Sequence, residues 1–330
     1  MPLLTTAKWS RAAAAISAGV LVLIVSTTGQ ANPAFWKLEW PNTDFSKSNV
    51  PFDEIFSGGV PKDGIPPIDN PRFASIAEVE SLYKGTEPVI TVNINGAARA
   101  YPLGILMTHE IVNDELGGKP ITVTFCPLCN SAIVFDRLVD GKVYDFGVSG
   151  KLRNSDLIMW DRQTQSWWQQ FTGEGIVGEH TGTLLTMLPV RVESFDKFKE
   201  RFPQGDVLIS PRGGAGFNPY AGYDSSPRPF LYQGSFPEGI RPLDYVLAVE
   251  DEAWSIELLK RVKRVEKGDL VITWESGQNA AMDERNISNG QDIGNVTVQR
   301  KQGDKMVDVV HDVTFAFSFH AFNKEGTINK

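Results

Sequence analysis

The stretch PITVTFCPLCNSAIVFD, residues 120–136, has two runs of β-branched and aromatic residues on either side of Cys-Pro-Leu-Cys. Such side chains fit a pleated sheet, so both runs predict strands, at residues 120–125 and 131–136. The Cys-Pro-Leu-Cys segment is too short to hold another element. The stretch therefore predicts a hairpin with Cys126 and Cys129 at its closed end.

Further strands are predicted on both sides of this hairpin. Asn95-Gly96 separates two apolar runs, residues 89–94 and 97–101, and tolerates the positive φ angles of a type I′ turn, which indicates a second hairpin. Phe residues alternate with small or polar residues over 315–319, a two-residue period that favours a strand. Similar short runs predict strands at residues 142–146, 157–162, 167–172, 206–210, 244–249, 269–274, 295–300 and 305–310.

Helices are predicted to be few and short. Ser75-Ile76-Ala77-Glu78 is a capping box, and we expect the helix that it starts to end near Gly85. Apolar residues recur at helical spacing over residues 103–111, which predicts a helix that carries His109 and Glu110. Two further helices are predicted at residues 194–202 and 255–261.

The composition agrees with a β-rich chain, because 30 Gly and 20 Pro favour many turns over long helices. We predict an α+β, β-rich fold with a barrel- or sandwich-like body and a few short helices. The body is expected to be a single domain, residues 73–330, with a Gly/Pro-rich loop near residues 211–242. A Pro-rich arm, residues 32–72, is expected to lie over it as an extended segment. Gly213–Gly216 lacks the Lys-Ser/Thr of a phosphate-binding loop, so a surface loop is favoured there.

The first 31 residues have the pattern of a signal peptide. Lys8 and Arg11 precede an uncharged run from Ala12 to Val25, and small residues stand at 29–31. The run is shorter than the roughly 20 residues of a membrane-spanning helix. We therefore predict export to the periplasm or the outside of the cell. An uncleaved N-terminal anchor is the alternative.

Cleavage after Ala31 has a direct test. The mature protein is expected to begin at Asn32 and to leave the membrane fraction without detergent. N-terminal sequencing of the purified protein checks this, and finding Met1 as the first residue would favour the anchor.

Charge argues against two classes of partner. Removal of residues 1–31 takes the formal net charge from −8 to −10, and no stripe of Lys or Arg interrupts the acidic surface. Such a surface repels the phosphates of nucleic acids and of anionic lipids. We expect no nucleic-acid partner and no membrane contact beyond a possible N-terminal anchor.

Cys126 and Cys129 are the chain's two cysteines, and they could bind a metal, exchange a disulfide or form an inert bridge. An inert bridge over so short a loop is a weak stabiliser, about 2 kcal/mol in the loop-entropy estimate. Exchange of the thioredoxin type needs the first Cys at a helix N-terminus, which the predicted strand at 131–136 does not provide. Backbone amides of a tight turn stabilise thiolates, so a zinc or copper site is favoured.

Two sulfurs leave a tetrahedral site incomplete, and four histidines could complete it. His109 is the nearest to the thiols in sequence and is predicted as the next ligand, with a purely structural histidine as the alternative. The weaker candidates are His180, His311 and His320, and for copper the sulfurs of Met107 and Met159.

Other polar and aromatic segments allow two interpretations. The Trp residues 160, 167 and 168 could line a pocket, but their alternating positions favour a core. Asn154-Ser155-Asp156 and residues 218–224 could hold turns or present groups to a ligand. The sequence contains neither a Gly-x-Ser-x-Gly nor a His-Glu-x-x-His motif, so a hydrolase finds little support.

Several motifs together resemble one family. They are residues 100–103, His109-Glu110-Ile111-Val112-Asn113-Asp114, residues 123–132 around the cysteines, residues 146–150, 154–157 and 160–162, and Asn218-Pro219-Tyr220. On these the chain resembles the domain-of-unknown-function 3179 family of often exported bacterial and archaeal proteins, over roughly residues 60–325. The resemblance implies one compact body and assigns no catalytic role.

The sequence thus predicts an exported metal-binding protein with copper or zinc at Cys126, Cys129 and His109. One alternative is a thiol–disulfide oxidoreductase that uses the same two sulfurs with a redox partner protein. Another is a non-catalytic binding module in which the cysteines only shape a loop. Whether the protein is an enzyme stays open at this point.

Overall fold

The computed structural model describes residues 33–216 and 218–330, so the predicted signal peptide, residues 1–31, lies outside the described residues. The strands in this part of the chain are β1 (Ile55–Ser57), β2 (Arg72–Ser75), β3 (Pro88–Ile94), β4 (Ala97–Pro102), β5 (Ile111–Leu116), β6 (Lys119–Cys126), β7 (Ser131–Asp136), β8 (Leu138–Val139), β9 (Lys142–Val143), β10 (Phe146–Arg153), β11 (Asp156–Asp161), β12 (Trp167–Gln169), β13 (Gly175–Val177), β14 (Met187–Leu188), β15 (Arg191–Ser194), β16 (Asp206–Ile209), β17 (Tyr245–Val249), β18 (Glu252–Ser255), β19 (Arg264–Lys267), β20 (Leu270–Glu275), β21 (Asn295–Gln302), β22 (Lys305–Asp308), β23 (Asp312–Phe315) and β24 (Thr327–Asn329).

The helices are short. They are α1 (Pro33–Glu39), α2 (Ile76–Val79), α3 (Leu103–Leu106), α4 (Phe195–Arg201), α5 (Ile256–Val262) and α6 (Ala316–Phe322), with 3₁₀ turns at Phe52–Glu54, Tyr223–Ser225 and Ile287–Asn289. Ser194 and Ser255 cap α4 and α5 by accepting backbone N–H groups of Lys197 and Leu258. Among the described helices, none has the length and apolar character needed to cross a membrane.

Within the described ranges the strands form five sheets of four or five strands and one two-stranded ribbon. Their orders are β1-β10-β11-β12-β13, β14-β7-β6-β5, β15-β3-β4-β16-β2, β23-β17-β18-β24 and β19-β20-β21-β22, with β8-β9 as the ribbon. Neighbouring strands are antiparallel except for β16 with β4 and β18 with β24. The sheets include a half-barrel and propeller-like sheets, and helices are few, so the predicted β-rich α+β class is confirmed.

One hydrophobic cluster joins the five larger sheets. It includes Ile90 of β3, Val123 of β6, Val148 of β10, Leu247 of β17 and Ile272 of β20, all of them buried. Because each sheet places apolar side chains in the same core, the sheets stabilise one another.

The segment before β2 packs on the sheet that contains β10–β13. Trp40 and Phe45 are buried there, and their rings meet Trp167 edge-on at centroid distances of 5.3 and 5.4 Å. Residues 33–39 form α1, so this arm is not extended throughout as predicted.

Both predicted hairpins are confirmed. Asn95 and Gly96 have φ angles of 52° and 85°, as a type I′ turn requires, and join β3 to β4. Strands β6 and β7 pair antiparallel from Ile121 with Asp136 to Cys126 with Ser131. Local signals sufficed here because the turn and both strands lie in one short segment.

Three of the helix and strand predictions were wrong. Helix α2 has its capping box but ends at Val79, because i→i+3 hydrogen bonds such as Leu82 to Val79 (2.8 Å) replace the helical pattern before Gly85. Helix α3 ends at Leu106, and His109 and Glu110 lie in a turn beyond it, since residue 111 already pairs with β6. Residues 316–322 form α6 instead of a strand.

Candidate metal centre

Cys126 and Cys129 lie at the closed end of the β6–β7 hairpin, as predicted. The turn is tight: the Cys129 N–H donates to the Cys126 carbonyl at 3.2 Å, and Asn130 has a φ of 49°. Because Ser131 begins a strand, the residues that follow the two cysteines form no helix whose N-terminus could act on Cys126. The segment after the cysteines therefore does not supply the helix dipole that lowers thiol pKa values in thioredoxin-like proteins.

A third acidic side chain, that of Asp156, joins the two thiols. The candidate ligand atoms of Cys126, Cys129 and Asp156 all lie within 4.8 Å of one another, and all three residues are buried. Asn154 and Ser155, with φ angles of 53° and 63°, form the turn between β10 and β11 that delivers Asp156. The Asn154-Ser155-Asp156 segment thus both holds a turn and presents the side chain of Asp156 to the two thiols.

The backbone of this turn also contacts the sulfurs. The Ser155 carbonyl oxygen lies 3.9 Å from Sγ of Cys126 and 3.6 Å from Sγ of Cys129. A thiol can donate weakly to a carbonyl, so this contact suits the protonated cysteines. It ties the hairpin of β6 and β7 to the sheet that contains β10 and β11.

Hydrogen bonds orient the Asp156 carboxyl group. Oδ2 accepts from Nε2 of Gln169 at 2.7 Å and from the N–H of Phe171 at 2.9 Å. The other oxygen, Oδ1, is buried without a hydrogen-bond partner among the described residues. Carboxylates that bind metals are typically hydrogen-bonded in this way, with one oxygen held by neighbouring groups and the other left for the metal.

Burial governs the acidity of the group. Burial raises the pKa of Asp156 to about 7, although hydrogen bonds from Gln169 and Phe171 oppose the rise. Burial also raises the pKa of Cys126, and it raises the pKa of Cys129 well above its usual value. Without a cation the two thiols therefore hold their protons near neutral pH, and Asp156 releases its proton only around pH 7.

Glu110 extends this buried acidic region. Burial, reinforced by the charge of Asp156, raises the pKa of Glu110 to about 8. In the sequence, Glu110 is notable only as the neighbour of the predicted ligand His109. Asp156 belongs to a segment that could either hold a turn or present groups to a ligand. Their convergence on the thiols is decided by contacts between separate sheets.

His109 lies outside the group of three. It is buried, and its Nδ1 is 2.7 Å from the carbonyl oxygen of Pro66. The other three histidines also have contacts of their own elsewhere. The ring of His180 packs against Trp168. Nδ1 of His311 lies 2.8 Å from the Val309 carbonyl oxygen, and Nε2 of His320 lies 3.0 Å from the hydroxyl of Ser235. The predicted His109 ligand therefore stays a prediction that needs its own test.

The remaining candidates are part of the core or of loop structure. Met107, Met159 and the three Trp residues are buried in hydrophobic clusters, as the core interpretation expects. Asn218 holds the loop after β16, because its Nδ2 donates to the carbonyls of Ala281 and Glu284 and its Oδ1 accepts from the Tyr220 N–H. Tyr220 is thereby held near the thiols.

The fold and the site together define a class of β-rich proteins. In this class a carboxyl group from a second turn joins two buried thiols at the end of a hairpin. The chain belongs to the family described as protein of unknown function (DUF3179), which it matches over residues 62–326. The resemblance drawn from the sequence motifs is thereby confirmed. No match was found among curated proteins or among solved structures.

Proposed function

We propose that this protein binds one zinc or copper ion through Cys126, Cys129 and Asp156. The observation that carries the proposal is the convergence of these three buried acidic groups within 4.8 Å. Thiolates bind both metals, and a carboxylate beside two thiolates suits zinc better than cuprous copper, which prefers sulfur. Zinc is therefore the first metal to test.

Electrostatics supports the same proposal. Burial of acidic groups is costly unless they are protonated or paired with a cation. A metal ion replaces the protons of both thiols and of Asp156, and a divalent ion offsets two of the three negative charges that they acquire. The free Oδ1 of Asp156 is the oxygen available for this role.

Three protein ligands leave a fourth position for water or another molecule, which is the pattern of zinc sites that act on bound ligands. His109 is the protein group that the sequence suggests for that position. Its Nδ1 is already engaged by Pro66, so only Nε2 could serve. Export would bring the site to the periplasm or the outside of the cell.

Thiol–disulfide exchange is the second candidate, because the two sulfurs lie within 4.8 Å of each other. Exchange needs an accessible thiolate with a lowered pKa. Here the thiols are only 2% and 0% exposed, and burial raises both pKa values. The metal proposal accounts for these features without a further conformational change.

The role of Asp156 as the third ligand can be tested with a matched control variant. Reduced wild-type protein is expected to bind about one equivalent of zinc, and Asp156→Asn is expected to weaken binding by at least tenfold, since loss of an outer partner alone costs about 10–100-fold. Competition with a chromophoric chelator measures the affinity. Asp312→Asn is the control, because Asp312 is also a buried acid with one unpaired oxygen but lies outside the group.

The same titration decides the role of His109. If the imidazole is a ligand, His109→Ala weakens zinc binding as Asp156→Asn does; if it is structural, the affinity stays within a few-fold of wild type. Reduced wild-type protein that takes up neither zinc nor copper would contradict the proposed function.

A further inference from the structure

A cavity of about 540 Å³ lies between the sheet of β10 and β11 and the loop that follows β16. Its walls are mainly apolar, and its size suits a small organic molecule. The residues that connect it to the candidate metal centre are Glu110, Leu128 between the two cysteines, and Leu157 next to Asp156. The cavity therefore ends beside that centre.

Glu110 stands out among the residues of this wall. Its side chain lines the cavity although the residue is only 7% exposed, and no hydrogen bond or ion pair to its carboxyl group is present within the described parts of the chain. Glu110 has a φ of 58°, in the left-handed region that a glutamate rarely adopts. Two backbone hydrogen bonds of 2.8 Å, to Leu106 and from Phe125, hold it there.

Such an arrangement is unusual for a purely structural residue. The carboxyl group of Glu110 faces the cavity without a partner among the described residues, and a left-handed backbone is costly unless its surroundings enforce it. Both features are expected where a side chain is held in place for a ligand.

The other charged groups of the cavity leave Glu110 without a cation. Among the described lining residues these are Lys151 and Arg228. The Lys151 amine is 3.1 Å from Oε2 of Glu39, so its charge is already paired. Arg228 is exposed, and its guanidinium lies over the ring of Phe236 at 5.6 Å. Glu110 is protonated near neutral pH in the empty cavity, and an incoming cation would favour its ionised form, so the buried end of the cavity favours a ligand with a cationic head group.

Aromatic residues strengthen this preference. Tyr220, Tyr223 and Phe230 line the cavity, and ring faces attract organic cations. A metal ion at the neighbouring centre would not reverse the sign, because two thiolates and a carboxylate outnumber the charges of a divalent ion.

We propose that this cavity binds a small organic cation, with an apolar body against the aromatic and aliphatic walls and an ammonium group against Glu110. The ammonium supplies the partner that the carboxyl group lacks. A carboxylate ligand would place a second acidic group beside Glu110 and is disfavoured. The inference does not require the metal.

Three probes with the same body test the head group: 2-phenylethylammonium, 2-phenylethanol and phenylacetate, titrated calorimetrically into the reduced full chain. The ammonium is expected to bind at least tenfold more tightly than the alcohol, since a hydrogen bond between charged groups is stronger than one to a neutral hydroxyl. Phenylacetate is expected to bind most weakly. Glu110→Gln should remove the preference for the ammonium and leave the affinity for the alcohol within a few-fold.

Controls separate this inference from the metal proposal. Glu87→Gln changes a half-buried glutamate outside the cavity and should change no affinity. Ala221→Trp, on the exposed loop that lines the cavity, should weaken all three probes by occupying their space. The Cys126→Ser/Cys129→Ser variant should lose zinc and keep the ammonium preference.

Phenylacetate binding as tightly as the ammonium would overturn the inference, and so would an ammonium preference that survives Glu110→Gln. Absence of measurable binding by all three probes would overturn it as well. In each case zinc uptake could still succeed, so the two proposals fail separately.

Discussion

Replacing Cys126 and Cys129 together by serine is expected to lower zinc affinity by at least about a thousandfold, or about 4 kcal/mol. Serine keeps the size of the side chain but stays protonated near neutral pH, so both soft ligands are lost. Each single variant should lose most of this affinity, because one thiolate and one carboxylate do not hold the ion against water.

The wild-type affinity should also increase with pH. Metal binding displaces protons from the thiols and from Asp156, and burial holds all three pKa values above their usual range. Zinc titrations at pH 6, 7 and 8 in one buffer series measure this trend. A pH-independent affinity would mean that these groups are not the ligands.

The fold should survive the loss of zinc. The sheets share a large hydrophobic core, so far-ultraviolet circular dichroism of the double serine variant should match that of the wild type. This control separates loss of ligands from loss of structure. A folded double variant that takes up as much zinc as the wild type would end the metal proposal.

Oxidation tests the second candidate with the same protein. Diamide accepts two electrons and two protons as the thiols become a disulfide, and the bridged sulfurs can no longer act as thiolate ligands. Zinc uptake should then be lost and return on reduction. A disulfide with a reduction potential above about −200 mV, together with no zinc uptake by the reduced form, would favour thiol–disulfide exchange.

The second large effect is a loss of stability in the metal-free protein as the pH rises from about 4 to 8. Folding raises the pKa of Glu110 from 4.5 to about 8 and that of Asp156 from 3.8 to about 7. Between these values the folded state holds protons that the unfolded state has released, so the free energy of unfolding falls with rising pH. The contribution is fully present below pH 4 and lost above pH 8.

Its magnitude is on the order of several kcal/mol, since one pKa unit corresponds to about 1.4 kcal/mol and the two neighbouring groups are coupled. Urea unfolding at pH 5 to 9 with a chelator present measures it. Glu110→Gln and Asp156→Asn should each flatten the dependence, because an amide does not ionise. Asp312→Asn should flatten it mainly below pH 6, the range in which burial places the Asp312 pKa.

Zinc should reverse this trend if Asp156 is a ligand. A bound cation favours the ionised carboxylate, so saturating zinc should stabilise the protein more at pH 8 than at pH 6. Equal stability of the metal-free protein at pH 5 and pH 8 would show that the buried acids do not control folding.

Local signals were enough for several elements of the fold. The run of residues 131–136 became β7, and α4 and α5 match, to within one residue at each end, the ranges 194–202 and 255–261 that the sequence predicted as helices. Each of these signals acts between residues that are near in sequence. The type I′ turn at Asn95-Gly96 belongs to the same class.

Two elements were predicted wrongly because their residues are buried on more than one face. Ile111 and Val112 are both buried, so their spacing with the residues before them resembled a helix although β5 pairs with β6. Residues 316–319 are all buried within α6, and the apparent alternation of phenylalanines therefore carried no information about a strand. A hydrophobic period indicates an element only when one face is exposed.

For the candidate site, the sequence by itself determined the family and the hairpin that places Cys126 beside Cys129, because a turn of this length leaves the two thiols close to each other. The tertiary structure alone decided that Asp156 meets them and that Glu110 faces a cavity without a partner. Ser155 contacts Cys129 across 26 positions of the chain, and such contacts depend on how separate sheets pack. Packing between sheets is set by the summed burial of many side chains, which no local pattern contains.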